Sequence, residues 1–187
     1  VVRIIKYFLG FIRGRINHIN VYPSSCVYIG KRVNVVGGRN IHLSDHVTIR
    51  PEVDLWCGGA SINIGNGTEI GQRDRLSIAN SLYIGKDVLL SPNVYITDCD
   101  HEYRNIQVPV IKQGIVNRDN KISIGDGAYI GINAVIVGNI SIGQGTVVGA
   151  NSVVTRDIPD YCVAVGAPAR VIKRFNEEKM EWEKVDE

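Results

Sequence analysis

Long apolar runs are missing from this 187-residue chain. None approaches the roughly 20 residues needed to cross a bilayer, so no transmembrane span is expected. An excess of one charge is missing too: 21 Lys and Arg stand against 19 Asp and Glu, a net charge of +2. That balance removes any global electrostatic argument for nucleic acid as a partner, and phosphate recognition would have to be local. Paired cysteines are absent: Cys26, Cys57, Cys99 and Cys162 are far apart with no CxxC. Nothing N-terminal reads as a cleavable signal, so reduced thiols and a cytoplasmic location are expected, at the inner face of the membrane if the N-terminus binds lipid. With 44% hydrophobic and 21% charged residues, the composition is that of one ordinary globular domain.

What the chain does have is a period of six. From Ile122 the positions Ile124, Ile130, Ile136, Ile142, Val148 and Val154 are β-branched and six apart. Two residues ahead of them stand Ile122, Ala128, Ala134, Ile140, Thr146 and Ser152, mostly small, and Gly125, Gly131, Gly143 and Gly149 follow four of the six. An α-helix would smear such a repeat around its surface, and a long strand would repeat at two with no regular glycine. Short strands with a corner every six residues satisfy both periodicities, which is the sequence signature of a parallel β-helix. The phrase recurs upstream at Ile29, Ile64, Ile70 and Ile84, with Leu76, Leu90 and Ile96 as further interior positions. Ile64 to Ile84 is two residues more than three repeats, implying a small bulge near Ala79 to Ser81. Ile96 to Ile124 is ten more, so residues 97–121 are read as a loop leaving the helix, where function tends to sit.

Three segments follow. Residues 1–20 show helical apolar spacing with Arg3, Lys6, Arg13 and Arg15 elsewhere, an amphipathic helix that either caps the first coil, packs on a partner subunit or lies on a membrane surface. Residues 21–168 form the β-helix. Residues 169–187 read as a polar, mostly helical C-terminal segment with solvated charges.

The stretch from Ile124 through Arg174, with its closing Gly166-Ala167-Pro168-Ala169, and the stretch LLSPNVYITDCDH, with a histidine eight residues beyond Asn93, resemble the hexapeptide-repeat acyltransferases. Within them the chain is most similar to galactoside, maltose and surface-polysaccharide O-acetyltransferases. The resemblance extends from about Val27 to Arg174 and is weakest before Ile62. It implies an all-β fold, a left-handed parallel β-helix, assembled as a homotrimer, with acetyl-CoA as acyl donor and no metal.

The resemblance makes His101 the expected general base, since acyl transfer must remove the acceptor's proton and imidazole titrates near working pH. Asp98, Asp100 and Glu102 surround it in sequence, and any of the three could orient the ring. Cys99 as a covalent nucleophile is a minor alternative. For the donor, the matching positions are Gly131, Ile132, Gly149 and Ala150 along the pantetheine arm, and Thr155, Arg156 and Lys173, with Arg174, toward the nucleotide. The Ile132 amide matches a donor to the thioester oxygen. Tyr129 stands where the family often has tryptophan.

The acceptor side is read from residue type: Arg73, Asp74, Arg75, Asn93 and Tyr129, with Trp56 and Tyr103, could supply the aromatic faces and polar groups that bind a sugar or sugar nucleotide. Arg73 to Arg75 interrupts a coil upstream of the histidine and would suit an anionic or nucleotide-linked sugar. The expected function is O-acetylation of a sugar hydroxyl in surface-polysaccharide biosynthesis, with N-acetylation of an amino-sugar nucleotide as the alternative. A zinc hydratase like γ-carbonic anhydrase needs three converging histidines, and this chain has only His18, His42, His46 and His101. A non-catalytic trimeric scaffold is the remaining reading.

Overall fold

Each six-residue step of the repeat supplies one face of a triangular prism. The computed structural model describes residues 2–22, 24–116 and 118–185, so Val1, Pro23, Asn117, Asp186 and Glu187 lie outside the described residues of the segments that contain them. The first face stacks Tyr28–Ile29, Thr48–Ile49, Glu69–Ile70, Leu89–Leu90, Tyr129–Ile130, Val147–Val148 and Cys162–Gly166. The second stacks Asn34–Val36, Asp54–Cys57, Arg75–Ile78, Tyr95–Thr97, Val135–Val137 and Val153–Val154. The third stacks Ile41–Leu43, Ser61–Ile64, Ser81–Ile84, Lys121–Ile124 and Ile140–Ile142. Together they make a left-handed parallel β-helix of about 7 turns.

Register follows the repeat. Leu55 pairs with Leu76, Leu76 with Ile96, Ile96 with Ile136 and Ile136 with Val154, so like side chains stack down the axis. The six β-branched positions from Ile124 to Val154 are at most 1% exposed. Each such side chain, fully buried, is worth about 1.5–3 kcal/mol relative to exposure.

The expected bulge lies at the corner between the second and third faces, where one strand ends at Ile78 and the next starts at Ser81. The loop leaves at this same corner, from Thr97 to Lys121. Its size needs correcting. Ile96 pairs with Ile136 and Ile84 with Ile124, forty residues apart in both cases, whereas Leu76 to Ile96 is twenty. The insertion is therefore about twice the ten residues read from Ile96 to Ile124, because those two residues belong to different faces. The loop has its own antiparallel pair, Asp100–His101 with Ile115–Val116.

The C-terminal segment is also corrected: it is strand, not helix. Ala169–Asn176 runs antiparallel to Cys162–Gly166, and Glu181–Lys184 antiparallel to it in turn. The open edge of the first face offers unpaired backbone groups, and satisfying them outweighs the tenths of a kcal/mol by which Glu and Lys favour helix. Val171 packs on the core, and the Phe175 and Trp182 rings meet edge-to-face at 5.4 Å.

At the other end the helix α1, Val2–Ile16, lies against the first coil. It seats through Gly10, where an added Cβ would stand 2.3 Å from the Val27 carbonyl oxygen. Phe11 packs on the core from the same side.

Candidate active site

The second face and the loop enclose a cavity of about 390 Å³ lined by Trp56, Arg75, Ser77, Tyr95, Thr97, Cys99, Asp100, His101, Ile115 and Val137. Its floor is two outward columns of strand residues. Trp56 pairs with Ser77, Ser77 with Thr97 and Thr97 with Val137, while Arg75 pairs with Tyr95 beside them. Its wall is the loop hairpin that carries His101. The Arg75 guanidinium donates to Ser77 Oγ at 3.2 Å and lies 3.9 Å from the Asp54 carboxylate.

The three carboxylates near His101 have separate jobs. Asp98 is fully buried and accepts from the backbone amides of Ala79, Asn80 and Ser81 at 2.7, 2.7 and 3.0 Å. It pins the root of the loop to the preceding coil, so its assignment as a partner of the imidazole is corrected. Glu102 is spent on Arg104, which with the Tyr103 and Arg104 amides lowers its pKa to about 2. That assignment is corrected too. Asp100 lines the cavity with His101, and one of its oxygens accepts the His101 backbone amide at 2.8 Å. Cys99 sits in the same cavity within hydrogen-bonding reach of Thr97 Oγ1.

Of the acceptor residues read from sequence, only Arg75 and Trp56 reach this cavity. Asp74 is buried and accepts from the amides of Gly71 and Val94 at 2.7 and 2.8 Å, so it is a corner clamp rather than a ligand group. Arg73 and Asn93 sit at the corner between the first and second faces, where Arg73 Nε donates to Asn93 Oδ1 at 2.9 Å. Tyr129 lies on the first face, its hydroxyl accepting from Ser91 at 3.0 Å. Tyr103 is exposed on the loop. Of the cavity residues that sequence reading missed, Ser77, Tyr95, Thr97 and Val137 were legible only as outward columns, and Ile115 belongs to the loop hairpin opposite His101. Val137 joins its column only once the forty-residue coil is counted correctly.

Burial raises the Asp74 pKa to about 7 against the opposing effect of its two amide donors. Compared with an ordinary carboxylate near 3.9, the folded protein then holds a proton that the unfolded chain has lost. Stability from this group is full below about pH 4 and falls as pH rises to about 7. Thermal melts between pH 5 and 8 should show this decline shrinking in Asp74→Asn relative to the native chain. Glu102 titrates below that window.

The donor residues divide in two. Gly131, Ile132, Gly149 and Ala150 stack at the corner between the first and second faces, so close that a Cβ on Gly131 would stand 2.6 Å from Ala150 N. Among the described residues the Ile132 and Ala150 amides have no hydrogen-bond acceptor, while the Ile132 carbonyl accepts from Asn151 N at 2.9 Å. Beside them runs an asparagine ladder, Asn93 to Asn133 and Asn133 to Asn151, each step 3.1 Å. Thr155 and Arg156 are exposed one face away, just beyond Val154, and Lys173 is exposed on the C-terminal hairpin. One chain therefore gathers the first four but not the last three.

Side chains of metal-binding type gather elsewhere. Among the described residues Cys26, Asp45 and His46 have donor atoms within 4.8 Å of one another. Asp45 is already engaged there, accepting from the Cys26 and His46 amides at 2.6 and 2.9 Å and lying 3.1 Å from His46 Nδ1. This is a corner clamp like Asp74 and lacks the three histidines of a zinc hydratase.

Residues 121–156 match the family model for bacterial transferase hexapeptide repeats. A probable acetyltransferase of Mycobacterium tuberculosis is 29% identical over 92% of this chain, and the chain spans 57% of that protein's length. An Escherichia coli protein named "Putative lipopolysaccharide biosynthesis O-acetyl transferase WbbJ" is 32% identical over 83% of this chain and 71% of its own length. Among solved structures, a variant of AntD, an N-acyltransferase from Bacillus cereus, with dTDP-4-amino-4,6-dideoxyglucose and coenzyme A, superposes with a TM-score of 0.71. It is 19% identical, and the match covers 90% of each chain, a likeness of fold.

Proposed function

Since this chain belongs to the hexapeptide-repeat acetyltransferases, we propose that it moves an acetyl group from acetyl-CoA to a sugar hydroxyl, with His101 as the general base. The observation that carries this reading is the cavity that sets His101 beside Arg75 and Trp56. The imidazole takes the hydroxyl proton as the oxygen attacks the thioester carbonyl carbon. The tetrahedral intermediate then expels the coenzyme A thiolate, and the imidazolium returns the proton to sulfur. The Ile132 amide, having no acceptor among the described residues, is suited to the oxyanion. In a homotrimer, His101 of one protomer would face the Ile132 and Ala150 corner of its neighbour.

Arg75 and Trp56 suit an acceptor with an anionic group beside an apolar ring face, as in a nucleotide- or lipid-linked sugar of a surface polysaccharide. Arg75→Ala and Trp56→Ala are each expected to raise the acceptor KM by about tenfold while leaving the KM for acetyl-CoA within about twofold. Thiol release measured against each substrate checks this, and equal effects on both substrates would remove the acceptor assignment. N-acetylation of an amino-sugar nucleotide is the second reading, favoured by the fold likeness to the Bacillus cereus N-acyltransferase.

A further inference from the structure

The near-neutral charge of the chain conceals a division. Residues 1–44 carry seven Lys or Arg and no Asp or Glu, whereas the remainder carries fourteen against nineteen. All seven belong to the helix α1 and the first coil; Arg32 is paired with Glu52 of the second coil, and the other six leave this end of the prism basic.

The same end exposes an apolar stripe. At 100° per residue, Gly10, Gly14 and Phe11 face the first coil, while Phe8, Ile5, Ile16 and Leu9 fall on the opposite side. They are 61%, 51%, 69% and 41% exposed. Two contacts hold the stripe outward: Arg13 donates to the Ile29 carbonyl oxygen at 2.7 Å, and Lys6 Nζ lies 4.4 Å from the centre of the Tyr28 ring. Next to the helix C-terminus, Arg15, His18, Asn20 and Arg39 line a small pocket of about 130 Å³.

We propose that this end of the protein docks on an anionic lipid surface, the stripe entering the headgroup boundary and the Arg15–Arg39 pocket taking a lipid phosphate. An apolar face on a helix that carries basic residues and no Asp or Glu has the composition of an interfacial helix. Anionic headgroups supply the counter-charge that residues 1–44 lack. A second copy of the chain would bring the same excess of cations against this one and is disfavoured by those charges. No helix among the described residues is long and apolar enough to cross a membrane, so the contact is peripheral. The proposal is independent of the acetyl-transfer chemistry.

The test is co-sedimentation of the full chain with phosphatidylcholine vesicles containing or lacking phosphatidylglycerol. Binding to the anionic vesicles should exceed binding to phosphatidylcholine alone by about tenfold and fall with added salt. The double variant Ile5→Ser, Phe8→Ser should reduce it by about tenfold, and Arg15→Ala, Arg39→Ala should remove most of the anionic preference. Inorganic phosphate as competitor separates pocket from surface: it should weaken the anionic preference without releasing the bound stripe. Because these side chains are exposed, melting temperatures should stay unchanged, which separates lost docking from lost folding. Absence of vesicle binding, equal binding to both vesicle types, or a smaller oligomer for Ile5→Ser, Phe8→Ser in size-exclusion chromatography would each overturn the proposal.

Discussion

Replacing His101 with alanine should lower acetyl transfer by about 10²–10⁴-fold, the range for removing a positioned general base. Acetyl-CoA affinity should stay within about twofold, because the donor is proposed to be held by backbone groups at the Ile132 and Ala150 corner, whereas His101, on the loop wall of the cavity, moves the proton. Thiol release for turnover and calorimetry for binding separate the two effects. A scaffold protein would show no change in either. Asp100→Asn should produce a smaller loss, because Asp100 shares the cavity but one of its oxygens is spent on the His101 amide.

The second large effect is on stability. Asp98→Ala leaves the amides of Ala79, Asn80 and Ser81 without their carboxylate acceptor in a buried corner. Hydrogen bonds to a charged group are worth about 1.5–3 kcal/mol each, and losses of this kind are not additive, so a destabilisation of about 3–5 kcal/mol is expected. Asp100→Ala, two residues away and exposed, should stay within about 0.5 kcal/mol. Urea unfolding of the pair measures both. A silent Asp98→Ala would mean that the loop root is held some other way.

Asp98 also shows what a sequence can and cannot convey here. The six-residue period reads directly because its cause is local: each strand is short, each interior side chain points at the axis, and each corner needs space. The loop was visible for the same reason, as a break in period. Its length was not, because register across faces is a long-range property and Ile96 and Ile124 look equivalent in a one-dimensional repeat. The division of labour among Asp98, Asp100 and Glu102 was invisible too. Three carboxylates within five residues are chemically alike until the corner amides claim one and Arg104 another. The C-terminal strands were missed because their stabilising partner, the open edge of the first face, is supplied by residues that start their pairing at Cys162. Arg73 and Asp74 misled for a related reason. An irregular coil looks like a binding site in sequence, but a charged residue at a β-helix corner can serve its neighbours instead.

The His101 cavity is proposed to accept a sugar and deliver its hydroxyl to an acetyl thioester. The most direct test is release of coenzyme A thiol from acetyl-CoA across a panel of sugar nucleotides, half with free hydroxyls only and half with an amine. Acceptor-dependent release with hydroxyl-only sugars, lost in His101→Ala, is expected. Release confined to the amino sugars, or release that survives the loss of His101, would contradict it.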